Sequence, residues 1–360
     1  MEKAKRLDIE IMRILAAFFV IFNHTGKQGF FLFSCYDSHS PQFWVYLFLS
    51  VFCKFSVPLF FMISGVLLLN RETTSYREFL KKKVGRILLI LVVWSVVYYL
   101  VKVYRGWEEL SLKTFLKTLY VSQWEAALWY LYAYIAFLLT VPILQKIAKA
   151  LSDKEFLYLF ALVFLFCSLR PAAEYLLWDT RYSLNPEFSL YWLKGRGFLC
   201  PLLGYFLAHR AADYWNKTRL TILWLINIAA ILLSCYLTYL HAQLTGELSE
   251  GASQHFHNVF VEINCAAIFA TCQYIAKNVK IPGSVQKMIF SVSGTTFGVY
   301  LMHILVMNMF QTVDVMGKMH EVFTVNYMLC TLLYCAVVFA TGCLITLICK
   351  KIPFLKHILT

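Results

Sequence analysis

Residues 326–349 read NYMLCTLLYCAVVFATGCLITLIC, a run without one charge. A helix crosses the hydrocarbon core of a bilayer with about 20 mostly apolar residues, so this run reads as a transmembrane helix. Working back toward the N-terminus, comparable runs lie near 8–25, 43–69, 87–104, 127–145, 156–170, 197–208, 220–240, 258–276 and 289–312. Those at 156–170 and 197–208 are short for a full crossing. The chain is 60% hydrophobic and 15% charged, where a soluble domain carries roughly 45–50% apolar and about 25% charged residues. No linker, low-complexity tract or internal repeat divides it. The expected fold is all-α: a polytopic integral membrane helix bundle of about ten transmembrane helices, one transmembrane domain over 1–360.

The net charge of +13 raises the question of nucleic acid, and its distribution answers it. With the N-terminus inside, the inner segments hold 21 Lys/Arg against 8 Asp/Glu, and the outer segments hold 9 against 11. Arg13, Lys54 and Lys102 lie within or at the ends of spans and Glu262 lies in one; other charged residues at span ends are counted with the adjoining loops. Every inner loop is basic, as the positive-inside rule requires, so the expectation is N-in/C-in, with membrane lipids as partners and no nucleic acid.

Ten of the eleven cysteines lie inside apolar spans, Cys35 alone falling in an outer loop, and no pair has metal-ligand spacing. They read as small hydrophobic packing residues, with no metal. The first span follows Lys3, Lys5 and Arg6, as a signal peptide would. Arg13 interrupts it and no small-residue cleavage site follows, so it is expected to stay attached as the first helix.

Ionisable groups at membrane depth are costly and point to function. Arg13 and His24 are eleven residues apart, about 1100° of helix at 100° per residue, so they project within about 20° of each other. Along the axis they stand about 16 Å apart. One stripe therefore carries a cation near the inner leaflet and an imidazole near the outer one, expected to border a wet passage between the leaflets. The plainer reading is that Arg13 snorkels to headgroups and His24 is interfacial.

Glu262, Asn264, Tyr300, His303, Trp129 and Tyr130 are expected at the depth of His24. A carboxylate paired with an imidazole makes an oriented general base, although Trp129 and Tyr130 also suit an aromatic belt. Lys54, four residues before Pro58, either lines a polar cavity or pairs with an acid.

The loop at 70–86 holds Arg71, Arg77, Lys81, Lys82, Lys83 and Arg86 against Glu72 and Glu78. It anchors the chain at anionic lipid. The last four bases also crowd the turn that opens the third span, where backbone donors add to Arg and Lys as phosphate partners. A ligand carrying a nucleotide, such as coenzyme A, fits that pattern.

Several strings resemble the membrane acyltransferases of acyltransferase family 3. RLDIEIMRILAAFFVIFNHTG resembles the family's opening, with Asp8, Arg13 and His24. VPLFFMISGVLLL resembles its second-helix motif, with Pro58, Phe61, Ser64 and Gly65. FLKKKVGRILLI resembles its basic entry to the third helix, LWYLYAYIAFLLTVPIL its fourth-helix motif, and SGTTFGVYLMH a late one. The family's basic motif reads Arg, two residues, Arg; here it is Lys83 to Arg86, which keeps charge but loses bidentate geometry at the first position.

The resemblance implies a bacterial plasma-membrane (multi-pass) enzyme that O-acylates sugars, most often by O-acetylation. Acetyl-CoA would be the donor substrate, and a surface glycan or lipid-linked sugar the acceptor. It also implies that Arg13 and His24 are an essential pair. The compact, unfused subgroup resembling enterobacterial-antigen acetyltransferases is nearest, so transfer is expected directly to the acceptor or to a separate partner.

The combined expectation places the nucleotide at Arg71, Lys81, Lys82, Lys83 and Arg86, and the thioester arm along the Arg13 stripe. His24 would serve as base, with Tyr130, Glu262 and His303 in support. A secondary transporter of a small polar or anionic solute is the rival, since buried charges and helices interrupted near Pro58 and Pro201 suit one; the absence of an inverted repeat counts against it. A non-catalytic sensor or scaffold is the third reading.

Overall fold

The computed structural model describes residues 6–73, 75–178, 197–245, 259–322 and 326–352, and these form helices and turns with no strand among them. In chain order the helices are α1 (Leu7–Asn23), α2 (Pro41–Phe52), α3 (Ser56–Leu68), α4 (Tyr76–Tyr104), α5 (Leu112–Val121), α6 (Trp129–Ala150) and α7 (Asp153–Ala173). They continue with α8 (Leu199–His209), α9 (Lys217–Thr245), α10 (Val261–Asn278), α11 (Gly283–Ser293), α12 (Thr296–Thr312), α13 (Val315–Val322) and α14 (Tyr327–Cys349). The chain is an all-α membrane helix bundle.

A helix occupies each of the ten expected segments, but they are not ten equal crossings. Among the described residues, six helices are long and apolar enough to cross a membrane, or seven if α11 and α12, bent by 57°, count as one span. The others are α1, α8 and α10. α1 carries Asp8, Glu10 and Arg13, and α10 carries Glu262, Asn264, Gln273 and Lys277. α8 has 11 residues, about 16 Å at 1.5 Å per residue and half the hydrocarbon thickness.

These polar or short helices lie inside the bundle. α1 packs against α3, α10, α11, α12 and α14, and α8 against α3, α6, α7 and α10. Helices that face protein rather than lipid can carry polar groups, because neighbours satisfy them.

The second span is one helical run over Pro41–Leu68 in which a tight turn joins α2 to α3. Pro58 has no N–H to donate, and its ring clashes with the carbonyl four residues back. The helix accordingly tightens into a 3-10 turn over Cys53–Phe55. Asn264 of α10 donates Nδ2–H to the Phe52 carbonyl at 2.6 Å, and Asn23 of α1 donates to Ser56 Oγ at 2.8 Å. A polar side chain at membrane depth, Asn264, thus serves the backbone at the tightened turn.

Close approach is set by glycine. A Cβ on Gly65 of α3 would run into the Pro201 backbone of α8, and one on Gly204 of α8 into the Met62 backbone of α3. Gly298 of α12 lies against the Thr346 side chain of α14 in the same way. Small residues at the crossing are how membrane helices bring backbones together. Eight of the eleven cysteines are buried.

Candidate active site

α4 opens with a wide π-helical turn over Leu80–Val84, a feature that often marks functional positions. Lys83, Arg86 and Arg71 line one side of a cavity of about 470 Å³, within the roughly 300–1,000 Å³ of ordinary ligand pockets. These cations are exposed, whereas Tyr130 and Tyr300 in the same lining are buried, so the cavity runs from a charged mouth to an aromatic floor. Arg13 lines its wall with Ser64 and Tyr134.

Arg13 is held by its own helix. Its Nη1 donates to both carboxylate oxygens of Glu10 at 3.1 Å. Of five guanidinium N–H groups, those on Nε and Nη2 make no other hydrogen bond among the described residues.

A second cavity of about 230 Å³ lies at the other end of α1. His24, Thr25 and Gln28 line one side, and Asn308, Gln311 and Asp314 the other. α12 therefore walls both cavities, the first with Thr296, Phe297 and Tyr300 and the second with its last two turns.

Between the cavities runs a succession of rings. Tyr134 and Tyr130 lie 5.6 Å apart by centroid, Tyr130 and Tyr300 5.4 Å, Tyr300 and His303 6.2 Å, and His303 and His24 5.1 Å. Two hydrogen bonds fix α12 at this point: Tyr300 donates Oη–H to the Ala127 carbonyl at 2.5 Å, and Tyr98 of α4 donates to the Leu301 carbonyl at 2.9 Å.

His303 is fully buried. Its Nδ1 lies 2.6 Å from the Tyr300 carbonyl oxygen. A carbonyl only accepts, so Nδ1 carries the proton and Nε2 presents a lone pair. That Nε2 is buried without a hydrogen-bond partner, an arrangement that costs free energy unless function or a ligand uses it.

The sequence expectation of one passage along the Arg13–His24 stripe is therefore corrected. Arg13 borders the first cavity and His24 the second, and the Tyr300–His303 ring pair stands between them. A helical wheel places two residues on one face but says nothing of what other helices insert between them.

The other expected site residues separate in the same way. Lys83, Arg86 and Arg71 reach the first cavity. Lys82 instead pairs with Glu78 at 3.0 Å, and Lys81 is exposed and lines neither cavity. Glu262 stands in the first turn of α10 and lines neither cavity. Lys54 places its ammonium 4.4 Å from the centre of the Phe30 ring. Glu10, Tyr134, Asn308, Gln311 and Asp314 were not singled out from sequence. The i, i+3 spacing of Glu10 and Arg13, and of Asn308 and Gln311, is the signal that was there to find.

The acyltransferase-domain family model of family 3 matches residues 6–347 and takes in every residue of both cavities. The chain belongs to acyltransferase family 3. No curated protein and no solved structure matches it. As a family 3 acyltransferase it is a multi-pass membrane protein and a transferase, so its site must bring an acyl donor and an acceptor to one reacting carbon. In this family 3 member the larger cavity ends at Tyr130 and Tyr300, the smaller one begins at His24, and His303 stands between them.

Proposed function

We propose that this acyltransferase moves an acetyl group from acetyl-CoA to a hydroxyl of a cell-surface or lipid-linked sugar, at the bacterial plasma membrane. One observation carries the reading: a cation-mouthed cavity ends at rings that lead, through His303, to His24 and a second cavity.

In this reading the phosphates of coenzyme A bind at Arg71, Lys83 and Arg86, Arg by bidentate hydrogen bonds and Lys as a point charge. The positive-inside charge pattern supports a cytoplasmic mouth, where acetyl-CoA is available. Arg13 is about 16 Å along the helix from His24, too far to touch a carbonyl that reacts at His24. Its donors therefore serve the polar arm of the thioester, and Glu10 holds them in place.

The acceptor hydroxyl oxygen attacks the thioester carbonyl carbon while His24 takes the hydroxyl proton. The tetrahedral adduct collapses with cleavage of the C–S bond, and the thiolate leaves as coenzyme A thiol by taking that proton from His24. His303 Nε2 has no partner in the resting structure; rotation of the facing His24 ring would let it accept a His24 N–H and leave the other His24 nitrogen as the base. Tyr130 closes the donor side against water. A positioned base contributes about 10²–10⁴-fold in rate.

The test is a thermal shift of the purified protein in detergent with acetyl-CoA, paired with mass spectrometry of surface glycan from strains with and without the gene. Stabilisation by acetyl-CoA and ester loss on deletion are expected. No stabilisation together with unchanged glycan esters removes the reading and leaves the transporter in its place.

A further inference from the structure

We infer that the smaller cavity beside His24 is the acceptor subsite and that it takes a single uncharged sugar ring, excluding uronic acids and phosphorylated sugars. This rests on the acyl transfer proposed above and adds which acceptors the site admits. Asn308 and Gln311 stand one turn apart on α12 and put two side-chain amides on one wall. Each amide offers donors and an acceptor, the combination that reads a vicinal pair of sugar hydroxyls. Phe310 and Tyr334, whose rings meet at 66° and 6.2 Å, line the same space and give an apolar face for a sugar ring.

Charge sets the exclusion. Among the described residues the lining includes the carboxylate of Asp314 and no Lys or Arg; Lys27 and Lys318, close in sequence, do not line it. An anionic sugar would bring a second negative charge beside Asp314, and like charges at close range are strongly disfavoured in a partly desolvated site; Lys54, the cation that acts electrostatically on His24, does not line the cavity. Asp314 also has a structural duty: its Oδ1 accepts the Gly317 N–H at 3.1 Å at the start of α13, and its φ of 48° is one that Asp tolerates. Its carboxylate position is therefore fixed by the backbone. At about 230 Å³ the cavity is below the roughly 300–1,000 Å³ of pockets that enclose a whole ligand, so one ring enters and the rest of the glycan stays outside.

The experiment starts from a strain lacking the gene and the same strain complemented with it. Mass spectrometry locates the glycan esters that depend on the gene. Esters confined to neutral or amino sugars are expected; gene-dependent esters on a uronic acid or a phosphorylated sugar overturn the inference while leaving the acyl transfer intact. If no ester depends on the gene, the acyl-transfer reading itself fails, a distinguishable result.

Glycan extracted from the deletion strain then serves as acceptor for purified protein and radiolabelled acetyl-CoA. Asn308→Ala and Gln311→Ala should each raise the acceptor KM about tenfold, the factor one substrate hydrogen bond carries, with the acetyl-CoA KM unchanged. Gln311 is exposed, so its variant folds even if Asn308→Ala does not. Asp314→Asn keeps the cap and the backbone conformation, and should admit an anionic acceptor, octyl glucuronide, that the parent rejects. Unchanged acceptor KM in both amide variants, or transfer to octyl glucuronide by the parent, overturns the assignment.

Discussion

The imidazoles of His24 and His303 lie 5.1 Å apart, centre to centre, on helices from opposite ends of the chain. His24 ends α1 at the edge of one cavity, and His303 sits buried mid-way along α12, between the two cavities, with an unpartnered Nε2. The smaller cavity reaches this pair at His24, and the larger one ends at Tyr300, next to His303.

Replacing His24 by Ala removes the proposed base, and turnover should fall by at least about 10²-fold with the protein still monodisperse. His303→Ala should lower kcat without raising the KM for acetyl-CoA, because in the proposed mechanism His303 acts through His24. Initial-rate kinetics on both variants check this, and wild-type kcat in either removes that residue from the chemistry.

Glu10 and Arg13 form a partly buried ion pair, with Arg13 side-chain exposure of 32%. Removing one partner of a fully buried pair costs about 3–5 kcal/mol, and the cost here should be smaller because Arg13 keeps access to water. Glu10→Ala should destabilise more than the Glu10→Ala/Arg13→Ala double variant, since the single change strands a cation. A double-mutant cycle by thermal denaturation measures it. Arg13→Ala should in addition raise the KM for acetyl-CoA.

The cations differ in what they face. Arg86→Ala and Lys83→Ala should each weaken coenzyme A binding about tenfold, the worth of one charge-assisted hydrogen bond, and high salt should compress the difference. Lys81→Ala, exposed and outside both cavities, should leave affinity unchanged. Calorimetric titration with coenzyme A separates the three variants, and equal losses at all three would point to diffuse electrostatics in place of a site.

Gly65→Ala should destabilise by about 1–3 kcal/mol, the usual cost of overpacking, because its Cβ meets the Pro201 backbone of α8. Gly106, where a Cβ meets nothing within 4 Å, is not an equivalent control, since its φ of 72° favours glycine. Gly283→Ala, in open space at the start of α11, is the proper one and should be neutral. Detergent thermal melts of both variants decide.

Glu72 accepts a hydrogen bond from Lys149 at 2.8 Å, tying the loop before α4 to the end of α6. The Lys149 ammonium holds the Glu72 carboxyl below its ordinary value of 4.5. A carboxyl whose folded-state pKa is depressed stabilises above its unfolded value, and that contribution is lost as pH falls through the depressed one. The stability difference between the parent and Lys149→Ala should therefore be small and constant at neutral pH, shrinking below 4.5. Both groups are exposed, so the effect is modest. A difference that grows with acid would contradict the bridge.

Much of this protein was legible along the chain. Apolar runs such as 326–349 determined an all-α membrane bundle, because the hydrocarbon core imposes one length and one polarity on any helix that crosses it. The spacing of Arg13 and His24 put both on one face of α1, and the strings around Asp8, Pro58, Lys83 and Tyr300 carried the family likeness. All of these are properties of neighbours in sequence, fixed by helical period and solvent.

Only the tertiary structure decided the rest. It chose Lys83 over Lys81 for the cavity, set Asn264 to the Phe52 carbonyl, left Glu262 outside both cavities, and brought His303 to His24 while splitting the expected passage in two. Those outcomes depend on how α1, α6, α10 and α12 pack side by side. Such packing is settled by side-chain volume and glycine contacts between segments far apart in the chain, and no local period encodes it.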